Sequence, residues 1–211
     1  MSEISETEVK HVIREVKGLY GFRYKDQDKI TLCSREAMPE GIGEWLFLFM
    51  SKLLNSEQKE ELLDVFKENV ENIKMVRPET SITDDDRKYL EVFHDEFGLS
   101  DKENIKAKHW ATFFGLEEGN LDMYLGGFKY MINCNYMMLL SKEFSYAYII
   151  NFDDNTFEVY QGNTEEPYSD EQNRYSDKQH EFLGSGYYGM KLITSISFDD
   201  IVDGINLLDF L

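Results

Sequence analysis

The strongest constraint on this chain is a hairpin signal in its C-terminal third. Residues 145–152 and 156–160 are runs of aromatic and β-branched residues, and Asp153-Asp154-Asn155 stands between them. Strand formers around such a triplet predict an antiparallel pair, because Asp and Asn tolerate the left-handed backbone of a tight reversal. A second copy of the pattern lies near the start, with residues 19–24 and 29–33 around Lys25-Asp26-Gln27-Asp28. Residues 187–196 read as a further strand.

The sequence between the hairpins follows helical periodicity. Glu44–Leu54 predicts a largely buried helix carrying Trp45, Phe47 and Phe49, after the turn Met38-Pro39-Glu40-Gly41-Ile42-Gly43. Ser56 is placed to cap the next helix, with Leu62, Leu63, Phe66 and Val70 on its apolar face. Residues 73–76 read as a short edge strand ended by Pro78. Thr83 or Asp84 caps a helix running through Phe93, and short helices are expected over 103–114 and 121–125. At the two ends, residues 5–17 read as an amphipathic helix with Ser5/Glu8 capping spacing. A closing helix from Ser197 or Asp199 is expected to turn Ile201, Val202, Ile205 and Leu208 toward the core. Strands near both ends with helices between them predict an α+β fold, a mixed and mainly antiparallel sheet packed by helices. The expected organisation is one domain over 1–211, with a helix-rich middle (44–125), a β-rich C-terminal part (128–200) and an exposed acidic loop (161–186).

Charge narrows the function classes. Asp and Glu number 41 against 22 Lys and Arg, a formal net charge of −19. The excess is shared almost evenly between 1–105 and 106–211, so it belongs to the fold and not to a tail. Hydrophobic residues at 42%, with 15 Phe and 13 Tyr, are enough to build a core. Such a field repels nucleic acid and anionic lipid and attracts basic protein surfaces. No charged segment leading into an apolar stretch opens the chain, and no apolar run approaches ~18 residues. The expectation is a cytoplasmic protein that does not span a membrane, with Cys33 and Cys134 as buried free thiols.

The predicted contact set follows from acids interleaved with tyrosines, which combine charge complementarity with large, low-entropy contact area. Around the hairpin it comprises Asp153, Asp154, Glu158 and Tyr160; in the loop, Glu165, Glu166, Tyr168, Asp170, Glu171 and Tyr175. The expected partner is the basic surface of a nucleic-acid-handling protein, with no direct contact to nucleic acid.

No catalytic, metal or cofactor motif is complete. Asp84-Asp85-Asp86 is explained by capping and the helix dipole. His94 has no second histidine at i+4, and His11, His109 and His180 are isolated. Ser2 would suit an N-terminal-nucleophile amide hydrolase after loss of Met1, but a polar helix separates it from the first strand. A hydrolase-like enzyme, with Ser2, Ser34 or Glu36 in a pocket, is therefore the alternative to a binding role. A domain with a purely structural role is the third reading.

Gly18-Leu19-Tyr20-Gly21-Phe22-Arg23 followed by Pro39-Glu40-Gly41-Ile42-Gly43 resembles the opening of an uncharacterised family of small phage and bacterial proteins. Tyr146-Ala147-Tyr148-Ile149-Ile150-Asn151-Phe152-Asp153 and Phe157-Glu158-Val159-Tyr160-Gln161-Gly162 resemble its late segment. Members of that family have a His and an Asp before the proline turn, where this chain has Ser34, Arg35 and Glu36. They have a Cys-Glu pair before the aromatic matching Tyr146, where this chain has Phe144 and Ser145. The family has no assigned activity; the resemblance implies a phage or mobile-element setting. Together with the charge, it makes the expected role that of an anti-defence inhibitor (anti-CRISPR or anti-restriction) occupying a cationic channel of a host nuclease.

Overall fold

The computed structural model describes residues 17–33, 37–97, 104–114, 121–165, 174–175 and 188–211. Both hairpins form. β1 (Gly18–Tyr24) and β2 (Gln27–Cys33) pair antiparallel, with Tyr24 opposite Gln27. Their turn is tighter than the sequence implies, because Gln27 and Asp28 enter the ladder and leave Lys25 and Asp26 alone at the reversal. Both have positive φ, 53° and 58°, the two-residue geometry whose twist matches that of the flanking strands. β5 (Tyr146–Asn151) and β6 (Thr156–Gln161) form the second hairpin, with Asn155 at φ 52°. β7 (Lys191–Ser197) pairs antiparallel with β6 across a register shift at Val159/Tyr160.

The two hairpins join through a parallel pairing of β1 with β5, Gly18 opposite Tyr146 and Arg23 opposite Asn151. The resulting order is β2-β1-β5-β6-β7, a mixed, mainly antiparallel sheet in an α+β fold. A parallel pair requires a long crossover, and the helical middle supplies it. That middle contains α1 (Glu44–Leu54), α2 (Lys59–Asn72), α3 (Asp84–Phe97), α4 (Trp110–Phe114) and α5 (Leu121–Leu125). A small parallel pair, β3 (Lys74–Val76) and β4 (Tyr130–Ile132), forms a second sheet beside β2, where Cys134 N donates to Ile30 O at 2.9 Å.

Strand alternation sends Tyr20, Phe22, Tyr148, Ile150, Phe157 and Val159 to the larger core, against Phe47 and Met50 of α1 and Phe66 of α2. Aromatic edges interlock there: Phe66 lies 5.3 Å from Phe22 and 5.2 Å from Phe152, both T-shaped, an arrangement favoured by ring quadrupoles. The opposite face carries Leu19, Ile30, Ala147, Ile149 and Tyr160, covered by Cys134, Met138, Phe144, Tyr175 and Met190. The central strands are therefore buried on both faces. On the β2 edge, the Asn135 side chain imitates a strand: Ile30 N donates to its Oδ1 at 2.8 Å and its Nδ2 donates to Asp28 O at 2.6 Å. Occupying these backbone groups blunts the edge against further pairing.

Several sequence expectations are corrected. The closing helix does not form. Short 3-10 turns at Phe198–Asp200 and Leu207–Phe210 replace it, with Ile201 buried while Val202 and Leu208 are 44% and 48% exposed. Gly204 sits between them at φ +86°, a backbone state that no helix can carry through. The second helix begins at Lys59, and Ser56 Oγ accepts from Gln58 N ahead of it at 3.2 Å. The last strand begins at Lys191, and 103–114 holds a 3-10 turn (Asn104–Lys106) and α4 in place of one helix. The expected helix at 5–17 lies, up to residue 16, outside the described residues. No helix among the described residues is long and apolar enough to cross a membrane.

Candidate functional site

Arg23 is the one charged side chain that β1 sends to the smaller face, between Phe22 and Tyr24, which face the larger core. The register makes Asp28 its cross-strand partner on β2. Its Nε donates to Asp28 Oδ1 at 2.8 Å and its Nη1 to both oxygens of Glu158 at 3.0 Å, reaching over β5 to β6. Its Nη2 lies 3.5 Å from the hydroxyls of Tyr160 and Tyr175. Glu158 also accepts from Asn151 Nδ2 at 2.7 Å and from Tyr160 Oη at 2.6 Å, and Tyr175 Oη donates to Asp28 Oδ2 at 2.7 Å. Arg23, Glu158, Tyr160 and Tyr175 are all buried.

Burial opposes the Arg23 charge, but Asp28 and Glu158 outweigh it and raise the guanidinium pKa further. Burial, then Glu158, raises the Tyr160 phenol; burial, then Asp28, raises that of Tyr175. Each Glu158 oxygen already takes two donors. The cluster is a saturated ionic pin linking three strands, and its chemistry is to hold position, not to move protons.

Above this pin, the turns at one end of the sheet are tied together. Asp153 accepts from the backbone N–H of Lys25 at 2.7 Å and of Asp26 at 2.8 Å. Asn151 Oδ1 accepts from Asp153 N and Asp154 N, while its Nδ2 donates to Asp154 Oδ2 at 2.9 Å. Phe198 N donates to Asn155 O at 2.8 Å, which brings Asp199 and Asp200 beside the hairpin tip. Arg174 Nη1 pairs with Asp26 Oδ1 at 2.6 Å, and Lys25 Nζ with Glu71 at 2.6 Å. The rim is acidic and open: the side chains of Asp26 and Asp199 are 91% and 90% exposed.

The predicted contact set is thus divided. Asp153, Asp154 and Glu165 are exposed. Glu158, Tyr160 and Tyr175 are corrected to interior positions, since β6 is covered on both sides and Tyr175 packs on Tyr160 with ring centroids 5.5 Å apart. Glu166, Tyr168, Asp170 and Glu171 lie outside the described residues, as do Ser2, Ser34, Glu36, His11 and His180. The reading of the sequence missed Arg23, Asp26, Asp28 and Asn151. The available signal was a pair of opposite charges, Arg23 and Glu158, each alone within an apolar strand, since such charges are seldom buried without a partner.

Elsewhere, Thr83 caps α3, its Oγ1 accepting from Asp86 N at 3.2 Å, while Asp86 accepts from Thr83 N at 3.1 Å and from Thr83 Oγ1 and Tyr130 Oη, each at 2.6 Å. Burial works against the Asp86 charge, but these bonds outweigh it and hold the carboxyl below its usual range. Cys33 and Cys134 are buried and not joined in a disulfide, and burial pushes the Cys134 thiol up to about 11. Among the described residues, no group of three or more His, Cys, Asp or Glu side chains is placed to hold a metal ion. Comparison with protein-family models, curated proteins and solved structures finds no match to this chain.

Proposed function

We propose that this chain is an acidic binding protein of a phage or mobile element, which acts by occupying a cationic surface of a nucleic-acid-handling host protein. The observation that carries the reading is the acidic rim over the buried pin. Asp154, Asp199 and Asp200 are exposed around turns whose backbones are fixed by hydrogen bonds, those of Asp153 among them. Charges on a rigid support meet a complementary surface with little ordering cost. The net charge of −19 extends the field beyond the rim and steers cationic partners. The resemblance of the Gly18–Arg23 and Tyr146–Asp153 motifs supplies the phage setting, and inhibition of a nuclease involved in defence is the form of binding that fits it.

The test is affinity capture from host lysate at low salt, followed by mass spectrometry. A nucleic-acid-handling protein should be recovered, should elute as salt rises, and should be lost when Asp154→Lys and Asp199→Lys are combined. Recovery of no such protein, or a complex indifferent to salt and to the charge reversal, refutes the reading.

A further inference from the structure

The geometry points to Asp203 as a site of spontaneous isoaspartate formation, through attack of the Gly204 backbone nitrogen on the Asp203 side chain. The pair is the chain's one Asp-Gly step, and no Asn-Gly step occurs. It forms the tip of a turn over 202–205, between the two C-terminal 3-10 turns. Asp203 and Gly204 are both exposed. A Cβ built at Gly204 would meet nothing within 4 Å, and glycine brings no side chain of its own to crowd the nitrogen. Among the described residues, nothing accepts from the Gly204 N–H or pairs with the Asp203 carboxylate. Attack requires the Asp203 backbone to rotate out of the turn. One bond closes that turn, from Ile205 N to Val202 O at 3.4 Å, and an exposed segment held by so little opens locally while the rest stays folded.

The step balances without a co-reactant other than water. A bond forms between Gly204 N and Asp203 Cγ, the carboxyl C–OH bond breaks, and the amide proton leaves with that hydroxyl as water. Water then adds to one of the two carbonyls of the cyclic imide and cleaves its C–N bond. Addition at Cγ restores aspartate; addition at the main-chain carbon gives isoaspartate, with the backbone now running through Cβ and Cγ. The extra backbone atom falls in a segment anchored on both sides. Ile201 is buried and its O accepts from Asn55 Nδ2 at 3.3 Å, while Leu207 is buried and its N donates to Glu44 Oε2 at 2.9 Å. The turn between these anchors absorbs the change, so the fold survives it. The three other aspartates nearby lack this freedom: Asp199 and Asp200 lie in a 3-10 turn before non-glycine residues, and Asp209 Oδ2 accepts from Asn206 N at 3.0 Å. The site is independent of the proposed binding role.

Opening of the imide puts one solvent oxygen into residue 203, which gives the test its readout. The full chain is incubated in native buffer made with heavy-oxygen water, then digested with trypsin in ordinary water. Cleavage after Lys191 releases residues 192–211 as one peptide, because no later Lys or Arg follows. Mass spectrometry with fragmentation locates the label, and an isoaspartyl methyltransferase with a labelled methyl donor scores the isomer. Heavy oxygen and the methyl-accepting group should accumulate at Asp203, with Asp199, Asp200 and Asp209 of the same peptide unlabelled. Circular dichroism should stay constant as they do. Asp203→Glu keeps the charge but would need a larger ring, and should lose both signals. A folded chain that leaves Asp203 unlabelled overturns the proposal, whether or not the chain converts in guanidinium. So does label spread evenly over the four aspartates, label at residue 203 in Asp203→Glu, or loss of circular dichroism in step with conversion.

Discussion

Replacing Arg23 by Met should be among the most damaging single changes to this protein. The substitution removes the Nε bond to Asp28 at 2.8 Å and both 3.0 Å bonds to Glu158, while the carboxylates stay where the strands hold them. Their side chains are only 10% and 7% exposed, so water cannot replace the guanidinium. Tyr160 and Asn151 still donate to Glu158, and Tyr175 to Asp28, but neutral donors do not cancel the charge, and Arg174, whose Nε lies 3.3 Å from Asp28 Oδ2, leaves Glu158 without a counter-ion. Removing one partner of a buried pair typically costs about 3–5 kcal/mol, a large share of the roughly 5–15 kcal/mol that holds a domain together. For a chain of this size the melting temperature should fall by roughly 6–20 °C. Urea unfolding followed by circular dichroism measures the loss. Replacing all three ions together (Arg23→Met, Asp28→Leu, Glu158→Leu) should recover most of it, because an apolar substitute for an intact buried network is often neutral. A loss below about 1 kcal/mol for Arg23→Met alone, the scale of an exposed ion pair, would refute the reasoning and mean that solvent reaches the cluster.

Alkaline pH should unfold the protein cooperatively. Burial raises the Tyr89 phenol to about 12 and lifts Tyr124, Tyr130, Tyr148, Tyr160 and Tyr175 as well. A group raised in the folded state stabilises fully below its unfolded pKa, here about 10, and loses that contribution as pH climbs through the folded value. Lys29, whose ammonium burial lowers from 10.5, gives the opposite sign and only partly offsets the tyrosines. Phenolate absorbance of these residues should appear together with the loss of circular dichroism; a gradual titration in a folded protein would contradict it. Gly162→Ala should destabilise by about 1–3 kcal/mol, since a Cβ at that position would meet the carbonyl oxygens of Phe144 and Ser141; an unchanged melting temperature would show that the backbone yields there.

How much of this was legible in the sequence depends on the range of the interaction. Residues 44–54 announce α1 with its observed limits, because a dense apolar run behind Pro39 and Gly43 leaves no competing state. Ile201, Val202, Ile205 and Leu208 have helical spacing too, yet the positive φ at Gly204 interrupts them, and spacing carries no trace of a single dihedral. The candidate site was half visible. Asp153, Asp154 and Glu165 are exposed as expected. Glu158 and Tyr160 were misplaced because strand alternation is ordinarily read with one face in water, whereas β6 is central and has none.

The sequence by itself determined the elements set by neighbouring residues: two hairpins from their turn formers, the main helices from their apolar faces, and an acidic character that no folding can alter. Only the tertiary structure decided that β1 lies parallel to β5, and so that Arg23, Asp28 and Glu158 meet although 135 positions separate Arg23 from Glu158. Pairing at that distance depends on which faces the helices bury. The same burial that orders the strands removes water from the ions and makes their mutual contact necessary.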